Sequence, residues 1–333
     1  MEKKIRVVQF GLGPIGIETA KVIDKKNRFE LVGGIDIDPD KAGRDLGEVC
    51  GLGKTLGRPV SGDADALLHE LKPDVVLHTT SSFLDKVEDQ LLTCIRAGAH
   101  VVSSTEELLY PFERDADFSA RIDAAARRHN VAVVGTGVNP GFAMDILPLT
   151  LTGVCTEVKS VRIERVSNAS ERRQPLQKKV GAGMSEAEFR ELAARGGIGH
   201  IGLVESLLAV AAGLDWKPDA VEEKLEPILA EKDIHTDYFH VRPGQVAGIH
   251  HTCTATIGGK TVIDLDLKMY LDARDPHDSV FIEGTPPLSM RIDGGIFGDT
   301  ATVAALVNTA ARIHTAVPGL RTMLDLTVPR AVS

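Results

Sequence analysis

The chain has few cysteines, few aromatic residues and no surplus of positive charge. Only four of its 333 residues are cysteines, and none form a CxxC pair, which is typical of reduced thiols in an intracellular protein. Lysines and arginines total 38 against 47 aspartates and glutamates, so the formal net charge is −9. Nucleic-acid-binding proteins normally carry a basic face, and we therefore expect no nucleic-acid partner.

Long hydrophobic runs are also missing. No apolar stretch approaches the roughly 18 residues of a membrane-spanning helix, so we expect no membrane partner. The first residues are charged and then immediately strand-like, without the hydrophobic region of a secretory signal. These features predict a cytoplasmic protein.

Glycine, in contrast, is abundant, with 32 residues in 333, against a usual share of about 7%. The glycines form no repeat and no Gly/Ser-rich linker. Their number predicts many sharp turns or close approaches of backbone to another group.

The residues up to about 140 alternate short apolar strands with longer helical patterns. Strands are predicted at 5–10, 29–35, 74–78, 100–102 and 131–134, and helices at 15–24, 87–97 and 118–129. This alternation indicates βαβ units, and hence an α/β fold that begins with a doubly wound parallel sheet of the Rossmann type.

After about residue 150 the pattern changes to longer alternating strands. Two of them, 250–257 and 261–271, are joined across Gly258 and Gly259, which predicts an antiparallel hairpin. We expect a dinucleotide-binding domain over 1–145 and an α+β domain with a mainly antiparallel sheet over 146–298. A last helix over about 299–330 is a candidate to pack back on the first domain, and packing on the second domain is the alternative.

A glycine-rich motif follows the first predicted strand. Residues 10–16 read FGLGPIG, which is G-x-G-x-x-G between a strand and a helix, the context in which this motif binds a dinucleotide. Gly11 would allow the turn, Gly13 the approach of the pyrophosphate and Gly16 the packing of helix on strand. The predicted cofactor-binding residues of this loop are Gly11, Leu12, Gly13, Pro14, Ile15 and Gly16.

The second strand leads to an acidic residue, Asp36, which lies 20 residues beyond Gly16. A carboxylate there hydrogen-bonds the ribose hydroxyls of NAD and repels the 2′-phosphate of NADP. Lys41 and Arg44 follow closely and could accept that phosphate instead. The sequence therefore predicts NAD or NADP and leaves the choice between them open.

Small hydroxyl residues follow the third and fourth strands, where the ligand of an open α/β sheet lies. Thr79, Thr80, Ser81 and Ser104 are candidates to contact the cofactor. N-capping of the next helix is an equally good interpretation for any one of them.

The pair Glu106 and Glu107 comes just after the fourth strand. A carboxylate near a nicotinamide can hold or deprotonate an amine. The alternative is a solvated acid favoured by a helix dipole.

Several motifs together resemble the dihydrodipicolinate-reductase-like superfamily, and within it the group of 2,4-diaminopentanoate dehydrogenases and native amine dehydrogenases. They extend over nearly the whole chain. These motifs are 10–16 (FGLGPIG), 36–40 (DIDPD), 43–47 (GRDLG), 103–107 (SSTEE), 137–142 (GVNPGF), 179–184 (KVGAGM), 199–206 (GHIGLVES) and 298–302 (GDTAT).

The resemblance implies an NAD(P)-dependent amine dehydrogenase. Such an enzyme converts a primary amine to a ketone or aldehyde plus ammonia, and it performs reductive amination in reverse. The catalytic residue would be Glu107, which we favour, or Glu106. The resemblance also implies that Asn139 contacts the nicotinamide side, and that Phe142, His200 and Thr302 line the substrate pocket.

Other functions are also compatible with the sequence. The chain could be a dihydrodipicolinate-reductase-like or homoserine- or aspartate-dehydrogenase-like oxidoreductase, or a non-catalytic NAD(P)-binding regulator. The spacing of four histidines in the second domain, His235, His240, His250 and His251, matches no standard ligand set, so no metal is predicted. An antiparallel sheet with an apolar face needs covering, which together with the resemblance predicts a homodimer.

Overall fold

The computed structural model describes residues 3–332. Residues up to Phe142 contain five strands, five α-helices and a 3₁₀ helix at Glu106–Leu108. In chain order the elements are β1 (Ile5–Phe10), α1 (Pro14–Lys25), β2 (Phe29–Ile35), α2 (Leu46–Val49), α3 (Ala64–Leu71), β3 (Val75–His78), α4 (Leu84–Arg96), β4 (His100–Ser103), α5 (Ala116–Arg128) and β5 (Ala132–Gly135).

The middle of the chain is richer in long strands. It contains α6 (Ile146–Thr152), β6 (Glu157–Asn168), α7 (Gln174–Lys179), α8 (Glu186–Ala194), α9 (Leu203–Gly213), β7 (Ala220–Leu229), β8 (Ile234–His235), β9 (His240–Val241), β10 (Val246–Ile257), β11 (Lys260–Tyr270), β12 (His277–Thr285) and β13 (Leu288–Asp293). The remaining elements are α10 (Gly298–Ala310) and β14 (Gly319–Arg321), with short 3₁₀ helices among them.

The chain divides into two compact units. The first contains the residues up to Phe142 together with those from Phe297 onward, and the second is Ala143–Ile296. Helix α10 packs on α1 and β14 pairs with β5, so the last segment belongs to the first unit.

The sheet of the first unit is parallel throughout, in the order β14-β5-β4-β3-β1-β2. The predicted doubly wound parallel sheet is thus confirmed. The strand order reverses at β1, which lies between β2 and β3, and ligands of such folds bind outside the carboxyl ends of the strands at this switch point. The loops after β1, β3 and β4 therefore position the site.

Helices of the first unit begin and end where the local chemistry favours it. Asp115 caps α5 by accepting a hydrogen bond from the backbone N–H of Phe118. Helix α4 buries Val87, Leu91 and Ile95 at helical spacing, and Gly98 follows its end with φ of +77°. These apolar faces join the core between the helices and the sheet.

The second unit contains a six-stranded sheet in the order β13-β12-β6-β11-β10-β7. Only β6 and β11 pair in parallel; the other neighbours are antiparallel, as predicted. The predicted hairpin is confirmed, because Ile257 pairs with Lys260 across Gly258 and Gly259, which both have positive φ. Ser185 and Glu188 form the capping box of α8.

Some predicted bounds were wrong. The last helix ends at Ala310, far short of the predicted 330, because Pro318 and Gly319 (φ +135°) lead into β14 instead. Strand β7 was missed, since Pro227 and several glutamates weaken its strand pattern. Proline is tolerated there because β7 is an edge strand. Within residues 3–332, no helix has both the length and the apolar character needed to cross a membrane.

Candidate active site

The three glycines of the G-x-G-x-x-G loop meet different constraints. Gly11 has φ of +90°, and a Cβ added there would lie 2.6 Å from the carbonyl oxygen of Thr79. A Cβ on Gly16 would lie 1.9 Å from the carbonyl oxygen of Gly11, so helix α1 packs directly against the loop. A Cβ on Gly13 would meet nothing within 4 Å. Gly13 therefore faces open space, as required for a phosphate to approach its backbone.

Helix α1 begins at this loop without a side-chain cap. Gly13 is its N-cap residue and Pro14 its first residue, where the missing N–H of proline costs nothing. Ile15 is half-buried in the same turn. The first N–H groups of such a helix bind phosphate well, so the loop fits the pyrophosphate of a dinucleotide.

Asp36 follows β2 and is held in place by the backbone. Its Oδ2 accepts a hydrogen bond of 2.7 Å from the N–H of Leu12, and its Oδ1 accepts one from Asp38. The Nζ of Lys41 lies 3.5 Å from Asp36 and 3.0 Å from Asp38, and the hydrogen bond to Asp38 raises the pKa of Lys41. The carboxylate of Asp36 is thus fixed beside the glycine loop, where the ribose of a dinucleotide binds.

The hydroxyl residues after β3 and β4 fall into two groups. Thr79 donates to the carbonyl of Gly11 at 3.0 Å, and Thr80 donates to Gln90 at 2.6 Å, so both hydroxyls serve the protein itself. The hydroxyl of Ser104 is half-buried and makes no hydrogen bond to any residue in the range 3–332. Among residues 3–332, the hydroxyl oxygen of Ser81 accepts a single long hydrogen bond of 3.4 Å, from the N–H of Phe83. Ser81 and Ser104 are therefore better placed than the two threonines to contact a ligand.

A buried histidine that the sequence analysis did not single out joins β3 to β4. The Nδ1 of His78 lies 2.9 Å from the hydroxyl of Ser103, and its Nε2 lies 2.7 Å from Gln90 Oε1. Burial lowers the pKa of His78 to about 4, so the ring is neutral at ordinary pH. Thr105 extends the network by donating to the carbonyl of Ser81. This network fixes the segment that carries Glu106.

The two adjacent glutamates have different surroundings. Glu107 is 9% exposed, and its Oε2 accepts a hydrogen bond of 2.9 Å from the N–H of Leu84, the first residue of α4. Its Oε1 lies 3.1 Å from Nη1 of Arg114. Glu106 is half-buried, and its carboxylate has no hydrogen bond or ion pair with the described part of the chain.

The 3₁₀ helix of these glutamates rests on β5. A Cβ added to Gly135 would lie 2.5 Å from the carbonyl carbon of Leu108, so only glycine permits this packing. The position of Glu106 thus depends on the contact between its 3₁₀ helix and the end of β5. The partners of Glu107, Leu84 and Arg114, are indicated by no local sequence pattern.

A tight turn follows β5. The Asn139–Pro140 peptide bond is cis, and Asn139 is half-buried. Gly141 has φ of +127°, and a Cβ there would lie 2.2 Å from the N atom of Gly137. Thr302, in α10, lies beside this turn, with its methyl carbon 3.9 Å from where a Cβ of Gly137 would be.

The other two residues predicted to line the pocket fall in different units. Phe142 is half-buried at the end of the first unit's leading segment. His200 belongs to the second unit, and its Nε2 is shielded from solvent without a hydrogen-bond partner among residues 3–332. Burial holds the pKa of His200 well below its ordinary value, and the charges of Lys179 and Arg165 add to this effect.

Two family models match the chain. Residues 142–333 match the 2,4-diaminopentanoate dehydrogenase C-terminal domain. Residues 5–108 match the N-terminus of dihydrodipicolinate reductase.

Known proteins are similar over nearly the full length. A 2,4-diaminopentanoate dehydrogenase from Acetoanaerobium sticklandii is 31% identical over 351 aligned positions, covering 99% of this chain and 95% of the relative. An amine dehydrogenase from Streptomyces virginiae is 24% identical, with 98% of each chain covered. The solved structure of an amine dehydrogenase from Mycobacterium smegmatis superposes with a TM-score of 0.87 at 26% identity, covering 99% of this chain and 98% of that one.

Proposed function

The chain belongs to the 2,4-diaminopentanoate dehydrogenase family, and from that premise we propose which residues carry out its reaction and which substrate it takes. The enzyme is an NAD(P)-dependent oxidoreductase that acts on CH–NH₂ donors. In the balanced reaction, a protonated primary amine, water and NAD(P)⁺ give a carbonyl compound, ammonium, NAD(P)H and a proton. The reverse direction is reductive amination.

Family membership confirms the resemblance identified from the sequence motifs. A dihydrodipicolinate reductase is less favoured, since that family's model covers only residues 5–108. A non-catalytic regulator is less favoured because relatives along the full length are named as dehydrogenases.

We assign cofactor binding to the glycine loop and the neighbouring strand ends. Gly13 and the uncapped start of α1 would bind the pyrophosphate, and Asp36 would bind the ribose. Because Asp36 carries a negative charge, NAD is the preferred form. Ser81, Ser104 and Asn139 would contact the nicotinamide half. The bound nicotinamide supplies the hydride acceptor of the reaction.

Glu106 is our candidate for the catalytic acid–base, in place of Glu107, which the sequence analysis favoured. The observation that supports it is the difference between the two carboxylates. Glu107 already accepts from Leu84 and pairs with Arg114, whereas Glu106 has no partner within residues 3–332. A general base needs a lone pair that the protein does not use.

Glu107 is then a positioning residue. Its hydrogen bond to the first N–H of α4 joins that helix to the segment after β4, and the negative charge at a helix start is favourable. The contact holds the 3₁₀ helix in which Glu106 lies.

The proposed role of Glu106 follows from the charge on the substrate. An amine carbon loses hydride readily only when its nitrogen is neutral, so the Glu106 carboxylate first accepts a proton from the ammonium group. After hydride transfer Glu106 releases this proton to solvent, and its carboxylate then accepts one from the water that adds to the iminium carbon. Glu106 gives that proton to the nitrogen of the resulting carbinolamine, which leaves as ammonia. The carbinolamine hydroxyl proton passes through Glu106 to the ammonia as the carbonyl forms. Each step moves a proton between Glu106 and the substrate or water.

The substrate we favour is 2,4-diaminopentanoate or a close analogue, with a simple alkyl amine as the alternative. Support comes from the relative of that name, which is 31% identical, against 24% for the amine dehydrogenase from Streptomyces virginiae. Phe142, His200 and Thr302 are the proposed pocket residues. The unsatisfied Nε2 of neutral His200 could accept a hydrogen bond from an ammonium group of the substrate.

Replacement of each glutamate by glutamine tests the assignment. We expect Glu106→Gln to lower kcat for amine oxidation at least about 100-fold, with the Kd for NAD(P)⁺ unchanged. Glu107→Gln is the matched control, because the glutamine oxygen can still accept from Leu84. It should lower the melting temperature through the lost ion pair and retain most of the kcat. Turnover followed by NAD(P)H absorbance and Kd from fluorescence titration give the two readouts.

The same panel distinguishes the alternatives. Normal turnover by Glu106→Gln with loss in Glu107→Gln would return the catalytic role to Glu107. If the wild-type enzyme oxidises neither 2,4-diaminopentanoate nor any alkyl amine while it binds NAD(P)⁺, the proposed substrate class is wrong.

We also propose that the enzyme is a cytoplasmic homodimer. All four cysteines are free, and Cys50, Cys94 and Cys253 are buried, which suits a reducing compartment. The dimer is supported by the outward face of the second unit's sheet, where Phe281 is 41% exposed among charged side chains.

A further inference from the structure

Three potential metal ligands meet at the small sheet formed by β8 and β9, which the proposed reaction does not use. His235 and His240 are directly opposite each other in this antiparallel pair. Their rings stack with centroids 4.1 Å apart. Asp233 immediately precedes β8, and its Oδ1 lies 2.8 Å from Nε2 of His240. One ligand atom from each residue lies within 4.8 Å of the other two.

This arrangement suits a transition-metal ion. Zn²⁺ binds imidazole nitrogens and carboxylate oxygens at about 2.0–2.2 Å, usually in a tetrahedron. Two such ligands are then about 3.4 Å apart, a spacing that small side-chain rotations within the present cluster would reach. All three residues are exposed, so water could complete the coordination.

We propose that Asp233, His235 and His240 form a binding site for a divalent transition-metal ion, with Zn²⁺ as the representative ion. Two imidazoles and one carboxylate favour zinc, copper or nickel over magnesium and calcium, which prefer oxygen ligands. The spacing of these histidines along the sequence predicts no metal. The fold brings His235 and His240 together across the β8–β9 hairpin. No standard metal-binding motif has two histidines at this separation along the sequence.

The other histidines of the second unit lack this arrangement. His250 lies 2.9 Å from Asp266, and His251 lies 3.0 Å from Glu223. Each has one close carboxylate, and among residues 3–332 neither belongs to a group of three converging ligands. Within the described part of the chain, the Asp233 cluster is the one group in which three such ligand atoms converge.

A bound ion would fasten the two short strands to each other. Ile234 and Val241 of these strands belong to the second unit's core. Between them, Thr236 donates to Gln177 at 2.8 Å, and Gln177 donates to the carbonyl of Arg172 at 2.8 Å. Because each strand has only two residues, a metal cross-link should stabilise the hairpin against local opening.

The test is a calorimetric titration of the untagged full-length protein with ZnCl₂. We expect one Zn²⁺ per chain, a melting temperature that rises with the concentration of zinc and returns after EDTA, and no such response to MgCl₂. His235→Gln and His240→Gln should each weaken Zn²⁺ binding at least about tenfold. Mutation of residues that only hydrogen-bond a metal ligand already lowers metal affinity by about that factor.

His69→Gln is the matched control. His69 is also exposed, and its Nδ1 lies 3.6 Å from a carboxylate oxygen of Asp65, but no second histidine accompanies it. This variant should bind zinc as the wild type does. The absence of one-to-one binding in the wild type, or unchanged binding in both cluster variants, would overturn the proposal. The result is independent of amine oxidation, since neither readout requires turnover.

Discussion

Asp36 illustrates how a single carboxylate is held in place at the proposed cofactor site. Its oxygens accept from the N–H groups of Leu12 and Asp38, and it also lies near Lys41. Lys41 is closer to Asp38, and Arg44 donates to the carbonyl of Asp40. Both basic residues thus have acceptors within the loop, which supports our proposal that Asp36 binds the ribose and that the enzyme prefers NAD.

We therefore expect Asp36→Asn to shift the cofactor preference. The asparagine oxygen can still accept from Leu12, so the loop geometry should persist while the charge is removed. The ratio of kcat/KM for NADP⁺ to that for NAD⁺ should rise at least about tenfold, which corresponds to about 1.4 kcal/mol. Steady-state kinetics with both cofactors measure it.

Lys41→Gln provides the comparison. This variant removes the cation nearest to Asp36. The ratio of kcat/KM for NADP⁺ to that for NAD⁺ should therefore fall or stay low. An unchanged ratio in Asp36→Asn would mean that the carboxylate does not face the 2′ position.

The sequence predicted where the glycine loop and Asp36 lie in the fold, because their spacing is set by one βαβ unit. Their binding of a cofactor stays a prediction. The sequence did not suffice to choose between Glu106 and Glu107. The choice depends on Leu84 and Arg114, which approach from α4 and from the loop before α5. Adjacent residues of a 3₁₀ helix point in different directions, and only tertiary contacts distinguish them.

Among the elements, strands with continuous apolar runs were predicted well, and β2 was predicted at its observed bounds. Short or polar elements were not. Helix α3 has only eight residues, and β7 carries acidic residues on an exposed edge. Their stability comes from neighbours, so local pattern is a weak guide to them.

The connection between β3 and β4 depends on a neutral histidine. His78 is buried and contacts Ser103 and Gln90 as a neutral ring. Burial lowers its pKa from 6.5 to about 4 in the folded protein. Between these values the unfolded chain binds a proton that the folded chain does not, so stability falls as pH decreases through this window.

We accordingly expect the free energy of unfolding to decrease from pH 6.5 to pH 4, with part of the slope due to His78. In His78→Gln that part should disappear, although stability at pH 7 is lower because buried hydrogen bonds change. Urea unfolding at several pH values measures the slope. An identical slope in the variant would show that the pH dependence has another source.

For the whole molecule, the outward face of the second unit's sheet is where a second copy would bind. Across the neighbouring strands β12, β6 and β11, Phe281 pairs with Arg162, and Arg162 pairs with Asp264. The guanidinium lies 6.0 Å from the Phe281 ring centroid. An aromatic anchor among charges of both signs is suited to a self-complementary interface.

Light scattering after size-exclusion chromatography should give the mass of a dimer for the wild type. Phe281→Glu should give a monomer, because it places an unpaired charge in the proposed interface. Val328→Glu is the control, since Val328 is a more exposed apolar residue of the first unit, and it should remain dimeric. A monomeric wild type would contradict the dimer, and a dimeric Phe281→Glu would contradict this face.

The return of the chain to the first unit has a consequence for biosynthesis. The second unit is continuous in sequence and is inserted between two parts of the first. A ribosome therefore synthesises all of the second unit's residues before it makes α10 and β14. Until β14 is made, β5 is an edge strand of the first unit's sheet. The second unit can therefore begin to fold before the first unit is complete.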